Sequence, residues 1–367
     1  MKFTFMCRGK KAVGPAGPRA RGTVAVVGSG PAGLVSAGYF ACQGYEVDVY
    51  DKMPVPGGMM MFAIPQYRVP RDSVYEGIDD LRDNFSVRFR LGSKVFCCAE
   101  GEPRPDEGDA FYNYVVDLRS LVEDYDVVML TTGTWRSRRL GVPGEFAEGV
   151  FSALEYLFRV LTYEQKLVTV PPPSGDRVVV IGGGLSAIDA AEDAVRRGLK
   201  EVYMVYRRTP KEAPAGEKEI ERVVKMGVNF VQLAQPVRVI TRRCKVEGVE
   251  FVRMKLGEPD ESGRPRPIPI EGSEFTMDTD LLILAIGELP TPPLERECLG
   301  IKLDRRGRIV VDSNFNAGHP KVFAAGDVVT GPSLIGKALS HGLKAATSAH
   351  KSLLRARESR GFQPKSS

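Results

Sequence analysis

Histidine is scarce in this chain. Only three occur, His319, His341 and His350, all near the C-terminal end, so a histidine-built catalytic metal site has almost no raw material. Cysteine is nearly as sparse. The six residues at positions 7, 42, 97, 98, 244 and 298 include no C-x-x-C pair, which excludes a zinc ribbon and a thioredoxin-type redox pair. Long apolar runs are missing too: the longest, such as Leu281–Gly287, fall far short of a bilayer span. The opening MKFTFMCRGKK has no apolar stretch long enough for a secretory signal, and the expectation is a soluble cytoplasmic protein. No charge of one sign dominates: 51 Lys+Arg against 46 Asp+Glu leave +5, scattered except at Lys10–Arg21, which argues against a nucleic-acid face. Nor is there a Ser/His/Asp or Cys/His constellation suited to nucleophilic catalysis.

What remains is ordinary globular material. The chain has 367 residues, 43% hydrophobic and 26% charged, with 39 Gly and 26 Pro, enough for two domains or three. The first 22 residues, rich in Gly, Pro and Arg, read as an extended arm. An apolar strand from Thr23 then breaks into Gly28-S-G-P-A-Gly33, a helical run follows, and a second strand, Tyr45-EVDVY, ends on Asp51. The pattern returns about 150 residues later: Arg177-VVVI, Gly182-G-G-L-S-Ala187, a helix, and Glu201-VYMVY. Two βαβ units in one chain predict an α/β protein of two Rossmann-like, three-layer dinucleotide-binding domains. The strand-and-turn segments near Asp124 and Thr279 suggest that one domain is inserted into the other. The expected division is an arm (1–22), a first domain in two parts (23–142 and 275–367) and an inserted domain (143–274).

Gly28-x-Gly30-x-x-Gly33 lies between strand and helix, where a dinucleotide site needs it. Gly28 permits the tight turn, Gly30 lets the backbone approach a pyrophosphate, and Gly33 lets helix and strand pack closely. Pro31 and Ala32 open the helix, whose free N–H groups and dipole suit phosphate. Asp51, 51 − 28 = 23 residues on, is placed to accept from ribose hydroxyls. The loop Gly57-Gly58 then suits the run of a ligand's backbone, and late in the chain Gly326-Asp327 ends a strand just before a helix. A carboxylate there can hold a ribityl hydroxyl, with Leu334 and Ile335 at the helix start facing the flavin's pyrimidine edge. The set points to FAD, with Lys52, Met59, Arg68, Val95, Thr132 and Gly133 as further candidate contacts.

The second motif, Gly182-x-Gly184-x-x-Ala187 with Leu185 and Ser186 between, differs at the end of its second strand. There, 207 − 182 = 25 residues on, stand Tyr206-Arg207-Arg208 rather than an acid. A carboxylate would repel a 2′-phosphate, whereas guanidinium can clasp it, so NADP(H) is favoured over NAD(H).

The ordered set GSGPAGL, PGGMMMFAIPQYRVP, TTGT, GGGLSAIDAAEDAVRRG, YRRTPKEAPAGEKEIE, AIGELP and FAAGDVVTG resembles the flavoprotein small (β) subunit of glutamate synthase. Its relatives include the flavin domain of dihydropyrimidine dehydrogenase. The likeness runs from residue 23 to about 350. It implies that the first motif, Gly57-Gly58 and Gly326-Asp327 bind FAD, that the second motif with Tyr206-Arg207-Arg208 binds NADPH, and that the turns at Gly133 and Gly287 lie near the cofactors. It further implies hydride transfer between nicotinamide and flavin, a step that needs placement of two rings and no protein acid or base. No catalytic residue is therefore named.

Those relatives carry a helical module with clustered cysteines for iron–sulfur centres. Here 22 residues with one cysteine, Cys7, precede the first strand, and an unusual stretch, Phe96-CCAEGEPRPDEGDAFYNY, reads as an insertion. Cys7, Cys97 and Cys98 are the candidate ligands of a [4Fe–4S] cluster. The chain also resembles the heterodisulfide reductase A-like flavin subunit of sulfur-oxidising complexes, and the residues do not decide between the two. Either implies a homodimer or a subunit of a larger electron-transfer complex, passing electrons to an iron–sulfur or ferredoxin-like acceptor.

Overall fold

The computed structural model describes residues 21–97, 103–259 and 263–361. In chain order they form β1 (Thr23–Val27), α1 (Pro31–Cys42), β2 (Glu46–Tyr50), α2 (Met59–Phe62), α3 (Arg71–Asp79), β3 (Arg88–Arg90), β4 (Ser93–Phe96), β5 (Tyr114–Asp117), α4 (Leu118–Asp124) and β6 (Val127–Leu130). There follow β7 (Arg136–Ser137), β8 (Val150–Ser152), α5 (Ala153–Glu164), β9 (Arg177–Ile181), α6 (Leu185–Arg196), β10 (Glu201–Tyr206), α7 (Glu217–Lys225), β11 (Asn229–Gln232), β12 (Ala234–Arg242) and β13 (Lys245–Pro259). The chain closes with β14 (Pro265–Pro269), β15 (Phe275–Asp278), β16 (Leu281–Leu284), β17 (Glu288–Leu289), β18 (Val322–Ala324), α8 (Asp327–Thr330) and α9 (Ile335–Gly361).

Two compact units result, one made of the chain up to Arg136 and from Glu288 onward, the other of Ser137–Gly287. In the first, five parallel strands lie in the order β18-β6-β1-β2-β3. Every residue of β1 after Thr23 is buried, as a strand covered on both faces requires. On one side α1 packs with α9; on the other, Leu118, Leu121 and Val122 of α4 join Leu294, Ile301 and Ile309 over Ala25, Val27 and Val128.

The second unit repeats the plan with the parallel order β11-β10-β9-β16-β8. Helices α5, α6 and α7 cover one face through Tyr156, Ile188 and Ile220. The other face is covered by an antiparallel meander in which β13 pairs with β12, β14 and β15, burying Val249 and Phe251 against Val179 and Leu282. The two sheets match strand for strand with one permutation: the fifth strand, β18, comes last in the first unit, whereas its counterpart β8 precedes β9.

The expected boundary at residue 275 is corrected. β16 pairs with β9 and β8, so residues 275–287 belong to the inserted unit, because Leu281, Leu282, Ile283 and Leu284 are core there on both faces. Around Gly307 the chain forms an isolated bridge between Leu303 and Ile309. Of the arm, only Arg21 and Gly22 are among the described residues. No described helix is long and apolar enough to cross a membrane.

Candidate cofactor-binding sites

In the first unit the glycine loop meets solvent at the carboxyl end of β1, where parallel sheets bind ligands. Gly30 caps α1 with no side-chain partner for the helix's first N–H groups. A Cβ built on Gly30 would meet no protein atom within 4 Å, whereas one on Gly33 would overlap the Gly28 carbonyl oxygen. The first glycine leaves room for a ligand; the other lets α1 lie against β1. Gly57 is drawn into the same loop, its N–H donating to the Ser29 carbonyl at 3.0 Å.

Asp51 is committed to the loop itself. Its Oδ2 accepts from the Ser29 N–H at 2.6 Å and the Ser29 hydroxyl at 2.5 Å, and its Oδ1 from the Met53 N–H at 2.8 Å. The expected ribose acceptor is thus first a clamp joining β2 to the glycine turn. At the end of β6, the Thr132 hydroxyl oxygen is buried with no hydrogen-bond partner among the described residues. A buried orphan hydroxyl costs roughly 1–3 kcal/mol, which a ligand's polar group would offset. With the open face of Gly30, this orphan fits the FAD reading. Met59, the first residue of α2, and Arg68 after that helix are half-buried, while Val95 points into the core, 6% exposed.

Lys52 and the insertion meet in a way the sequence did not signal. Lys52 donates to Asp109 at 3.0 Å, with Asp106 at 3.7 Å, and lies 5.2 Å from the Trp135 ring centroid. Lys94 pairs with the same two acids, and Arg136 with Asp106 at 2.8 Å. Burial pushes the Lys52 ammonium below its ordinary value against the pull of both carboxylates. Burial would raise the Asp109 carboxyl, yet Lys52 and Lys94 hold it below the usual range. The Glu107 N–H also donates to the Trp135 carbonyl at 2.9 Å. Residues of the insertion therefore brace the turn Thr132–Trp135 and neutralise a lysine expected at a cofactor.

Gly326 and Asp327 stand where expected, at the end of β18. Asp327 accepts from the Ser333 hydroxyl at 2.6 Å and its N–H at 3.2 Å, and burial raises its carboxyl above the ordinary value. Leu334 is 55% exposed and Ile335 opens α9.

The second unit reproduces the cradle. Gly184 caps α6 without a side-chain partner, and a Cβ there would meet no atom within 4 Å. Ala187 is fully buried against the core, while Leu185 and Ser186 lie toward solvent. Gly183 packs under the Tyr206 ring, whose hydroxyl donates to the Glu212 carbonyl at 3.1 Å. The arginine pair divides. Arg207 is exposed, but Arg208 is 2% exposed and its Nε donates to the Pro265 carbonyl at 2.7 Å. The expectation that both clasp a phosphate is corrected for Arg208, whose guanidinium ties β14 to the end of β10. Gly287, at φ +106°, closes this unit.

Residues 22–342 match the family model described as pyridine nucleotide-disulphide oxidoreductase. The chain belongs to that family. Within it the chain is of the glutamate synthase small-chain type. It is 33% identical over 336 residues to the glutamate synthase (NADPH) small chain of Escherichia coli strain K12, covering 88% of this chain and 67% of that one. It is 35% identical over 328 residues to the NADP(+)-dependent formate dehydrogenase subunit beta of Moorella thermoacetica, covering 89% of this chain but only 43% of that subunit. The chain thus spans part of its relatives' length. Mycobacterium tuberculosis FprA in complex with NADPH shares the fold at TM-score 0.74 and 20% identity, covering 94% of this chain and 87% of that one.

The iron–sulfur expectation for this family member loses one ligand. Cys97 is fully buried and forms a disulfide with Cys298, 201 residues away, and sulfur so engaged cannot ligate iron. Cys7 and Cys98 lie outside the described residues. Among the described residues no group of three or more His, Cys, Asp or Glu is placed to hold a metal. Cys42 is buried in α1 and disulfide-bonded, while Cys244 is free and exposed. Replacing Cys97 by Ser is expected to leave the iron content of the purified protein unchanged. A fall in iron per chain would restore Cys97 as a ligand.

Proposed function

We propose that the chain is the NADPH-oxidising flavin module of an electron-transfer complex. The first unit holds FAD and the second holds NADPH. Bound FAD supplies the hydride acceptor and the one- or two-electron donor. The chain's residues bind and orient: Gly30 and the start of α1 receive the FAD pyrophosphate, Asp51 keeps that loop in register, and Asp327 holds the ribityl chain. Gly184 and the start of α6 receive the second pyrophosphate, and Arg207 pairs with the adenosine 2′-phosphate. The observation that carries this reading is the open face at the second glycine of each repeat, beside an acid-ended β2 in one and the exposed Arg207 in the other.

The electrons pass on to an iron–sulfur partner or a second subunit, as the names of the relatives, a small chain and a subunit beta, suggest for them. Rapid mixing of the flavin-loaded protein with NADPH tests the proposal. The expected result is loss of the flavin's visible absorbance within one turnover, faster than with NADH. An unchanged spectrum would instead make the chain a flavin-bound relay with a vestigial nucleotide pocket.

A further inference from the structure

Ala325, the first residue past β18, still donates its N–H to a strand carbonyl, that of Leu130, at 3.0 Å. The next N–H, that of Gly326, has left the sheet and donates to Nδ1 of His341 on α9 at 2.9 Å. We infer that His341 is a positioning residue for the flavin site, holding the Gly326–Asp327 turn through its unprotonated Nδ1 and releasing it on protonation. This rests on the reading that the first unit binds FAD.

The turn's other hydrogen bonds are local: the Gly326 carbonyl accepts from the Val329 and Thr330 N–H groups at 2.9 and 3.1 Å, and Asp327 accepts from Ser333, so His341 is the bond that ties the turn to α9. Gly326 sits at φ +77°, and a Cβ there would come within 2.9 Å of Ala32 Cβ, so the turn lies directly on the first residues of α1. A displacement of Gly326 therefore reaches both the phosphate end of α1 and Asp327. Nδ1 can accept only while the ring proton is on Nε2; imidazolium would present N–H to N–H. The Phe315 ring lies edge-on at 4.8 Å from the imidazole. The charged groups facing it are Lys344 on α9 and Asp327 on α8. Burial, then Lys344, lower the imidazole's pKa below 6.5, and Asp327 opposes them. With the folded value depressed, the neutral hold is fully present above 6.5 and is lost as pH falls through the lower, folded value.

The test measures FAD affinity of the full chain from pH 8 to pH 5, by ultrafiltration and the fluorescence of released flavin. The wild-type dissociation constant is expected to rise roughly tenfold on acidification, the worth of one lost hydrogen bond plus the unmet donor. His341→Asn places an amide oxygen near the Nδ1 position and cannot titrate, so it should bind as tightly as wild type at pH 8 and stay flat. His341→Leu should bind weakly at every pH, with a melting curve of the apoprotein reporting its fold. A flat wild-type profile, or a His341→Asn profile that still titrates, would overturn the inference, the latter assigning the titration to Asp327. Absence of FAD binding by wild type at pH 8 would instead sink the flavin reading itself.

Discussion

Valine at Gly30 is expected to give a folded protein without flavin, and valine at Gly33 no folded protein at all. The two positions are three residues apart in one motif, yet their surroundings are opposite. A side chain at Gly30 enters space that no protein atom occupies, so the fold loses only the helix-cap preference, on the order of 1 kcal/mol. The same side chain fills the place proposed for the pyrophosphate, and FAD affinity should fall by roughly a thousandfold or more. At Gly33 the new atoms overlap the Gly28 carbonyl and crowd the Thr131 hydroxyl, with buried helix and strand on either side. Overpacking of that severity belongs to the exceptional class above about 4 kcal/mol. Flavin-to-protein absorbance ratios and melting curves of the apoproteins separate the two. Equal loss of stability in both variants would contradict the open-face assignment. The second repeat shows the contrast naturally, since Ala187 at the position matching Gly33 buries its Cβ without conflict.

Alanine at Arg207 and alanine at Arg208 should likewise part ways. Loss of one charge-assisted pair to a phosphate is worth about 1.5–3 kcal/mol, so Arg207→Ala should raise KM for NADPH by roughly 10- to 100-fold and leave that for NADH nearly unchanged. Arg208→Ala removes a buried guanidinium and leaves the Pro265 carbonyl without its donor. The expected cost is about 2–3 kcal/mol of stability in the second unit, with KM for the two nucleotides changed alike. Steady-state kinetics with both nucleotides, beside thermal melts, read this directly. A selective NADPH defect in Arg208→Ala would return that residue to the phosphate.

Much of this was legible because it is local. Strand, glycine turn and helix lie within some twenty residues in each repeat. Continuous apolar runs such as Val178–Ile181 report burial on both faces of a sheet, and a glycine run between strand and helix reports a turn. Asp51 after the first repeat's second strand and Arg207 after the second's likewise mark a difference in charge that lies within each repeat's own sequence.

Contacts between distant segments decided the rest. Leu281–Leu284 reads equally well as a strand of either sheet, and only its pairing with β9 and β8 assigns it to the second. Arg207 and Arg208 are chemically identical neighbours, and alternation at the strand end sends one to solvent and the other beneath β14. Asp106 and Asp109 look like solvated acids until the insertion folds onto Lys52 and Lys94. Cys97 finds its partner 201 residues away, and His341 reaches Gly326 because α9 packs on α1. The chain's own order thus determined two strand–glycine-turn–helix repeats and the differing charge that follows them, since steric period and turn chemistry act over a few residues. Which side chains face a ligand and which are spent holding the fold was decided only when remote segments competed for the same buried donors and acceptors.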